Sequence, residues 1–294
     1  MFAGSHTALV TPFKNGSLDE EAFKKLIDAQ FEAGITGIVP CGTTGESPTL
    51  DYEEHERVIQ LAVEYAAGRG PIIAGTGSNS TREAVELTEE AEANGATAAL
   101  LVAPYYNKPT QEGLFQHFRS IAQSTVLPLM LYSIPGRCGI EIGLDTIVRL
   151  AEACPNICAI KEAGGTPERV SQIRHELPES FEILSGDDSL TLPFMSVGAV
   201  GVVSVASNLI PGPIADLVRL GLAGDFAGAL AIHRKYYPLF AAFLKLATNP
   251  IPIKTAMGLA GKMDPQLRLP LSAMEPEASA SLAATMRELG LLSD

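Results

Sequence analysis

The sequence predicts an α/β chain closed into a (β/α)8 barrel, the TIM-barrel fold, with a small helical extension at its C-terminal end. Three observations predict it. Apolar runs rich in β-branched residues recur at intervals of about 25 to 35 residues, the length of one strand-plus-helix unit. Eight such runs occur, at 6–10, 37–41, 71–75, 98–103, 128–133, 157–162, 181–185 and 198–205. They are apolar almost throughout, as parallel strands covered on both faces must be. An open doubly wound sheet is the alternative, but no GxGxxG follows the first run.

Helical patterns with recognisable ends fill the intervals. Residues 18–33 place Phe23, Leu26, Ile27 and Phe31 on one face and stop at Gly34. Asp51 with Glu54, and Ser80 with Glu83, have capping-box spacing. Residues 89–93 run into Asn94-Gly95, a helix-stop signal. Beyond about residue 222 the strand signals cease, and 225–248 and 277–289 read as helices. The expected division is a catalytic barrel over 1–222 and a helical extension over 223–294 packed on it.

Composition narrows the function. The 294 residues are 46% hydrophobic and 19% charged, with a net charge of −13. No basic stripe is available to neutralise phosphates, which argues against nucleic acid and against anionic membrane surfaces. Anionic substrates would need a few local donors, because the overall field repels them. The opening MFAGSHTALVTPF lacks a basic n-region, so a cytoplasmic location is expected. The charge-free stretch 189–215 is broken by Ser196, Ser204, Ser207, Asn208 and prolines, and reads as a strand and loop rather than a membrane span. Cys41, Cys138, Cys154 and Cys158 form no CxxC pair and read as buried thiols.

Chemistry in such a barrel sits at the C-terminal strand ends. Here those ends read CGTTGES, GTGSN, PYYNKP, LYSIPGRCG, IKEAGG and SGDDS, which carry hydroxyls, an arginine and a lysine. Alternation puts Lys161 on one strand face with Ile157 and Ala159, and Tyr132 with Met130, so both side chains point into the barrel. Glu162 then points outward, toward a helix. An enclosed amine beside a phenol suits carbonyl chemistry, in which the amine attacks a ketone and the phenol relays protons. Each residue also has a plainer explanation. Lys161 could reach water from a strand end, Tyr132 could be a core tyrosine, and Arg137 could be a loop arginine. Gly42-Thr43-Thr44-Gly45 could form an anion nest or simply a turn. His6, His55, His117, His175 and His233 are scattered without metal-ligand spacing, and His55 reads as a helix-surface residue.

The segments GTTGES, PYYNKPTQEGL, LYSIPGR, IKEA and LSGDD, in this order over essentially the whole chain, resemble the 4-hydroxy-tetrahydrodipicolinate (dihydrodipicolinate) synthase family. That family belongs to the pyruvate-dependent class I aldolase and N-acetylneuraminate lyase superfamily. The resemblance implies a lyase of lysine and diaminopimelate biosynthesis that condenses pyruvate with L-aspartate 4-semialdehyde and needs no cofactor. It makes Lys161 the Schiff-base lysine. Tyr132, Thr43 and Tyr106 become a proton relay, with Tyr106 supplied by a neighbouring subunit of a dimer of dimers. Thr44 would hold the pyruvate carboxylate and Arg137 the semialdehyde carboxylate, with Gly186 and Val203 completing the pocket. A lysine feedback site is implied at Ser47, His55, Asn79, Glu83 and Tyr105, although Pro48 and Tyr52 depart from the form associated with strong inhibition. Ser133 and Cys138 depart as well, where asparagine and threonine are usual. The alternatives are a related pyruvate aldolase acting on sialic or keto-deoxy sugar acids, and a non-catalytic barrel that binds small carboxylates.

Overall fold

Residues 1–292 are described by a computed structural model; positions 293–294 of the expected extension lie outside the described residues. Eight parallel strands form one sheet: β1 (Gly4–Ala8), β2 (Gly37–Val39), β3 (Ile73–Gly75), β4 (Ala98–Val102), β5 (Leu129–Ser133), β6 (Ile157–Glu162), β7 (Glu182–Ser185) and β8 (Gly201–Ser204). Their order is β2-β1-β8-β7-β6-β5-β4-β3. A single parallel bridge between Ile38 and Ile72 joins the two ends, so the sheet is a nearly closed barrel. The expected (β/α)8 class is therefore the one observed.

Each expected strand is present, shifted at most by a few residues. The largest shift is at the last, which begins at Gly201 rather than Gly198, and the first begins at Gly4 rather than His6. There β1 meets β8 so closely that a Cβ on Gly201 would lie 1.9 Å from the Gly4 carbonyl oxygen. The first helix spans Glu20–Glu32, with Asp19 as its N-cap. It does not begin at Leu18, because Leu18 pairs with Phe13 in a small antiparallel hairpin turned by Asn15 and Gly16, both at positive φ. The Asp51–Glu54 capping box is complete.

Side chains inside the barrel include Ala8, Val39, Ile73, Leu100, Met130, Ala159, Leu184 and Val203. Phe2 is fully buried among them, and the carboxylate of Glu182 receives the backbone N–H groups of Phe2 and Ala3. The helices Phe226–Lys245, Ile251–Leu259 and Pro276–Glu288 follow the last barrel helix, Pro211–Leu222. Leu239, Phe240, Ile253, Met257 and Leu282 share one continuous core with Ile214 and Leu217 of the barrel layer. Burying each such side chain is worth about 1.5–3 kcal/mol. Among the described residues, no helix is long and apolar enough to cross a membrane.

Alternation along β6 needs one correction. Ala159 lies inside the barrel, but Ile157 packs outside it with Ile160 and Leu131. The register between β5 and β6 shifts at Leu129/Met130, which is opposite Ile157 and Ala159. This irregularity resets the phase before the functional residues are reached. Glu162 faces outward as expected: its Oε2 lies 3.8 Å from Arg169 Nε, on the helix Pro167–Glu176. Burial pushes the Glu162 carboxyl up to about 7, against the pull of the Gly164 N–H and Arg169.

Candidate active site

Lys161 and Tyr132 are register partners near the C-terminal ends of β6 and β5. The lysine is 5% exposed, and its Nζ lies 4.1 Å from the centre of the Tyr132 ring. Among the described residues, no carboxylate oxygen comes within 4.0 Å of that nitrogen. Burial pulls the Lys161 ammonium down to about 7, opposed by the field of Asp188 and reinforced by Arg137. Burial also pushes the Tyr132 phenol up to about 12, opposed by Arg137 and by the neighbouring Thr43 side chain. A neutral amine and a protonated phenol are thus both accessible near pH 7.

Three neighbours shape the space around the amine. At Gly186 a Cβ would sit 2.7 Å from Ala163 Cβ and 3.2 Å from Lys161 Cε, so a side chain there would crowd the lysine stem. Val203, on β8, is fully buried in the same inner cluster as Tyr132. Asp188 is one residue that sequence reasoning missed, although the SGDDS strand end pointed to it, and Asn249 is another. Its carboxylate accepts hydrogen bonds from the Ser204 hydroxyl and from the Val205 and Ala206 N–H groups. Burial raises its carboxyl to about 6 despite those donors.

The turn after β2 brings in the two threonines. Gly45, Glu46 and Ser47 N–H groups bond back to Gly42 and Thr43 carbonyls. Thr43 neighbours Tyr132 and lines the same cavity. Thr44 is buried, and its hydroxyl accepts a hydrogen bond from Asn249 Nδ2 at 3.1 Å. Its own proton is thereby directed away from Asn249, free to donate to a ligand. Arg137 lies on a single helical turn, Pro135–Cys138, and donates from Nη2 to the Asn249 carbonyl at 3.0 Å. One residue of the C-terminal extension therefore holds both groups assigned to carboxylates. Tyr106 is not gathered with the others: it is 90% exposed, at φ 73°, and does not line the cavity described next.

A cavity of about 410 Å³ opens beside this cluster. Thr43, Tyr132 and Arg137 line one part of it; Ser47, His55, Glu83 and Tyr105 also contribute. Lys161 does not line it and lies against the Tyr132 ring. Asn79 does not line it either, but its Nδ2 donates to the Tyr105 carbonyl at 3.1 Å. His55 departs from its expected helix-surface role. It is 6% exposed, and its Nε2 lies 2.9 Å from the Gly75 carbonyl oxygen at the end of β3. Glu83 departs too. Ser80 caps the helix Thr81–Ala93 through the Glu83 N–H, but the Glu83 carboxylate does not return the bond. It accepts instead from Tyr52 Oη at 2.7 Å and from the Ser78 hydroxyl. Among the described residues, no three His, Cys, Asp or Glu side chains group as a metal site.

Comparison with known proteins gives one consistent result. The profile of the dihydrodipicolinate synthetase family matches residues 1–289. The 4-hydroxy-tetrahydrodipicolinate synthase of Persephonella marina is 51% identical over 293 residues, 99% of this chain and 100% of its own. The solved 4-hydroxy-tetrahydrodipicolinate synthase of Methylacidiphilum fumariolicum SolV superimposes with a TM-score of 0.96 at 52% identity, covering 100% of both chains. A dihydrodipicolinate synthase from Cyanidioschyzon merolae, solved with lysine bound, is similar at a TM-score of 0.95 and 42% identity over 99% of each chain.

Proposed function

The chain belongs to the dihydrodipicolinate synthetase family, and from that premise we propose that it condenses pyruvate with L-aspartate 4-semialdehyde to give 4-hydroxy-tetrahydrodipicolinate. The observation that carries the mechanism is a buried Lys161 amine against the face of Tyr132, with no carboxylate at ion-pair distance among the described residues. Neutral Lys161 attacks the pyruvate ketone, and loss of water leaves an imine. The imine makes the former ketone carbon an electron sink, so a methyl proton leaves to give an enamine with no metal or other cofactor. The enamine carbon attacks the aldehyde. The semialdehyde's own amine then attacks the imine carbon and displaces Lys161 as the ring closes.

Tyr132 and Thr43 move the protons of these steps, and Tyr106 joins them from a neighbouring subunit, for which its 90% exposure in the isolated chain leaves it free. Thr44, with the backbone N–H groups of Thr43 and Thr44, holds the pyruvate carboxylate. Arg137 offers a planar fork to the carboxylate of the semialdehyde. Gly186 and Val203 bound the pocket around the imine. In this scheme residues 1–222 form the catalytic barrel and the extension supports it, within a cytoplasmic homotetramer. Borohydride added with pyruvate should inactivate the enzyme and label Lys161 irreversibly; label on another residue would rule the mechanism out.

L-Lysine is proposed as a feedback ligand at Ser47, His55, Asn79, Glu83 and Tyr105, supported by the lysine-bound relative. Both oxygens of the Glu83 carboxylate already accept hydrogen bonds, from Tyr52 and Ser78. An incoming ammonium must share or displace them, so inhibition should be weak. Calorimetric titration with lysine, with and without pyruvate, measures it directly; submicromolar binding would contradict the weak-site assignment.

A further inference from the structure

Lys254 and Glu46 are fully shielded from water, and neither enters the chemistry above. Lys254 Nζ donates to Glu46 Oε1 at 2.5 Å and to the Thr11 carbonyl at 2.9 Å, and lies 4.4 Å from the centre of the Phe13 ring. The other oxygen of Glu46 accepts the Arg268 N–H at 3.0 Å. Among the described residues, every hydrogen-bond partner of the Glu46 carboxylate therefore comes from the C-terminal extension.

Glu46 belongs to the turn that carries Thr43 and Thr44. It sits at φ 55°, and so does Cys41 just before the turn. Side chains other than glycine avoid this region and stay there only where the surroundings over-determine it. Lys254 supplies such surroundings by two routes. It grips Glu46 directly, and it holds Thr11, whose hydroxyl donates to the Gly45 carbonyl at 2.7 Å. A buried ion pair is a poor device for stability alone, because desolvation offsets its attraction. Its use here is geometric. We propose that Lys254 and Glu46 are positioning residues of the active site, fixing the Gly42–Ser47 turn so that Thr43 and Thr44 face bound pyruvate.

The inference rests on the lysine chemistry proposed above, and its test separates the two. Adduct formation on Lys161 is trapped with borohydride across a range of pyruvate concentrations and read by mass spectrometry. It is measured for the wild-type chain, for Glu46→Gln, and for the paired variant Glu46→Gln/Lys254→Met, whose side chains approximate the originals without charge. A positioning role predicts that the paired variant keeps its thermal midpoint within about 3 °C yet needs roughly tenfold more pyruvate for half-maximal adduct. Glu46→Gln should show the same rise and provides the reading should the paired variant fail to fold. Wild-type half-saturation in whichever variant folds would overturn the role, as would loss of fold in both, which would assign the pair to stability. A wild-type chain that forms no adduct would overturn the underlying mechanism instead.

Discussion

Lys161 and Lys254 are both withheld from water, yet they occupy opposite electrostatic situations. Lys161 has no carboxylate within ion-pair distance among the described residues, only the face of Tyr132 and the more distant field of Asp188. Lys254 is bonded to Glu46 and to a backbone carbonyl. Burial lowers the proton affinity of both, but the pair at Lys254 resists that shift and fixes its ammonium in place. Burial alone therefore does not make a nucleophile. A buried lysine becomes one when nothing compensates its charge and an open site lies beside it.

The sharpest way to break this contrast is to replace each lysine by methionine. Lys161→Met should remove the pyruvate adduct and reduce turnover at least about a thousandfold, a drop that steady-state assays read directly. Lys254→Met leaves Glu46 buried and unpaired, and denaturant titration should register a loss of about 3–5 kcal/mol.

Stability moves the other way at Lys161. The folded chain holds this amine near pKa 7, and the unfolded chain near about 10.4. Between those values the unfolded chain binds the extra proton, so this lysine's penalty is complete below pH 7 and fades as pH rises through the window. Lys161→Met should accordingly stabilise the fold, by up to about 4 kcal/mol at pH 7. The gain should shrink toward pH 10 in denaturant titrations run across that range. A destabilised Lys161→Met variant would mean that this lysine, too, is compensated.

Tyr132→Phe should lower turnover about a hundredfold while adduct still forms, because it removes a proton carrier and not the nucleophile. The smallest effect is expected at Asp188, whose field raises the Lys161 pKa. Asp188→Asn should move the pH midpoint of adduct formation downward by less than about one unit. An upward shift would contradict the assigned sign.

Most of the barrel was legible because each strand-plus-helix unit is a local pattern, and the strand ends that carry Thr43, Tyr132, Arg137 and Lys161 belong to those units. Alternation aimed Tyr132 and Lys161 inward correctly, but it misplaced Ile157, since an irregular register leaves no mark in hydropathy. Asp188 stood in a motif already singled out, yet its partners, the Ser204 hydroxyl and the Val205 and Ala206 N–H groups, come from another strand end. Glu83 had a sufficient local explanation as a cap residue, and the Tyr52 phenol that claims it lies 31 positions away. The bonds from Asn249 to Thr44 and from Lys254 to Glu46 span 205 and 208 positions. No periodicity or turn signal links residues so distant, and only the folded chain brings them together.

The central claim is that the unpaired lysine, and not the paired one, meets the substrate. Borohydride reduction in the presence of pyruvate, followed by peptide mapping, tests it most directly. The peptide containing Lys161 should carry a single reduced pyruvate adduct, with more label as pH rises through 7, and Lys254 should carry none. Label on Lys254, or an active enzyme with no label at Lys161, would contradict the account.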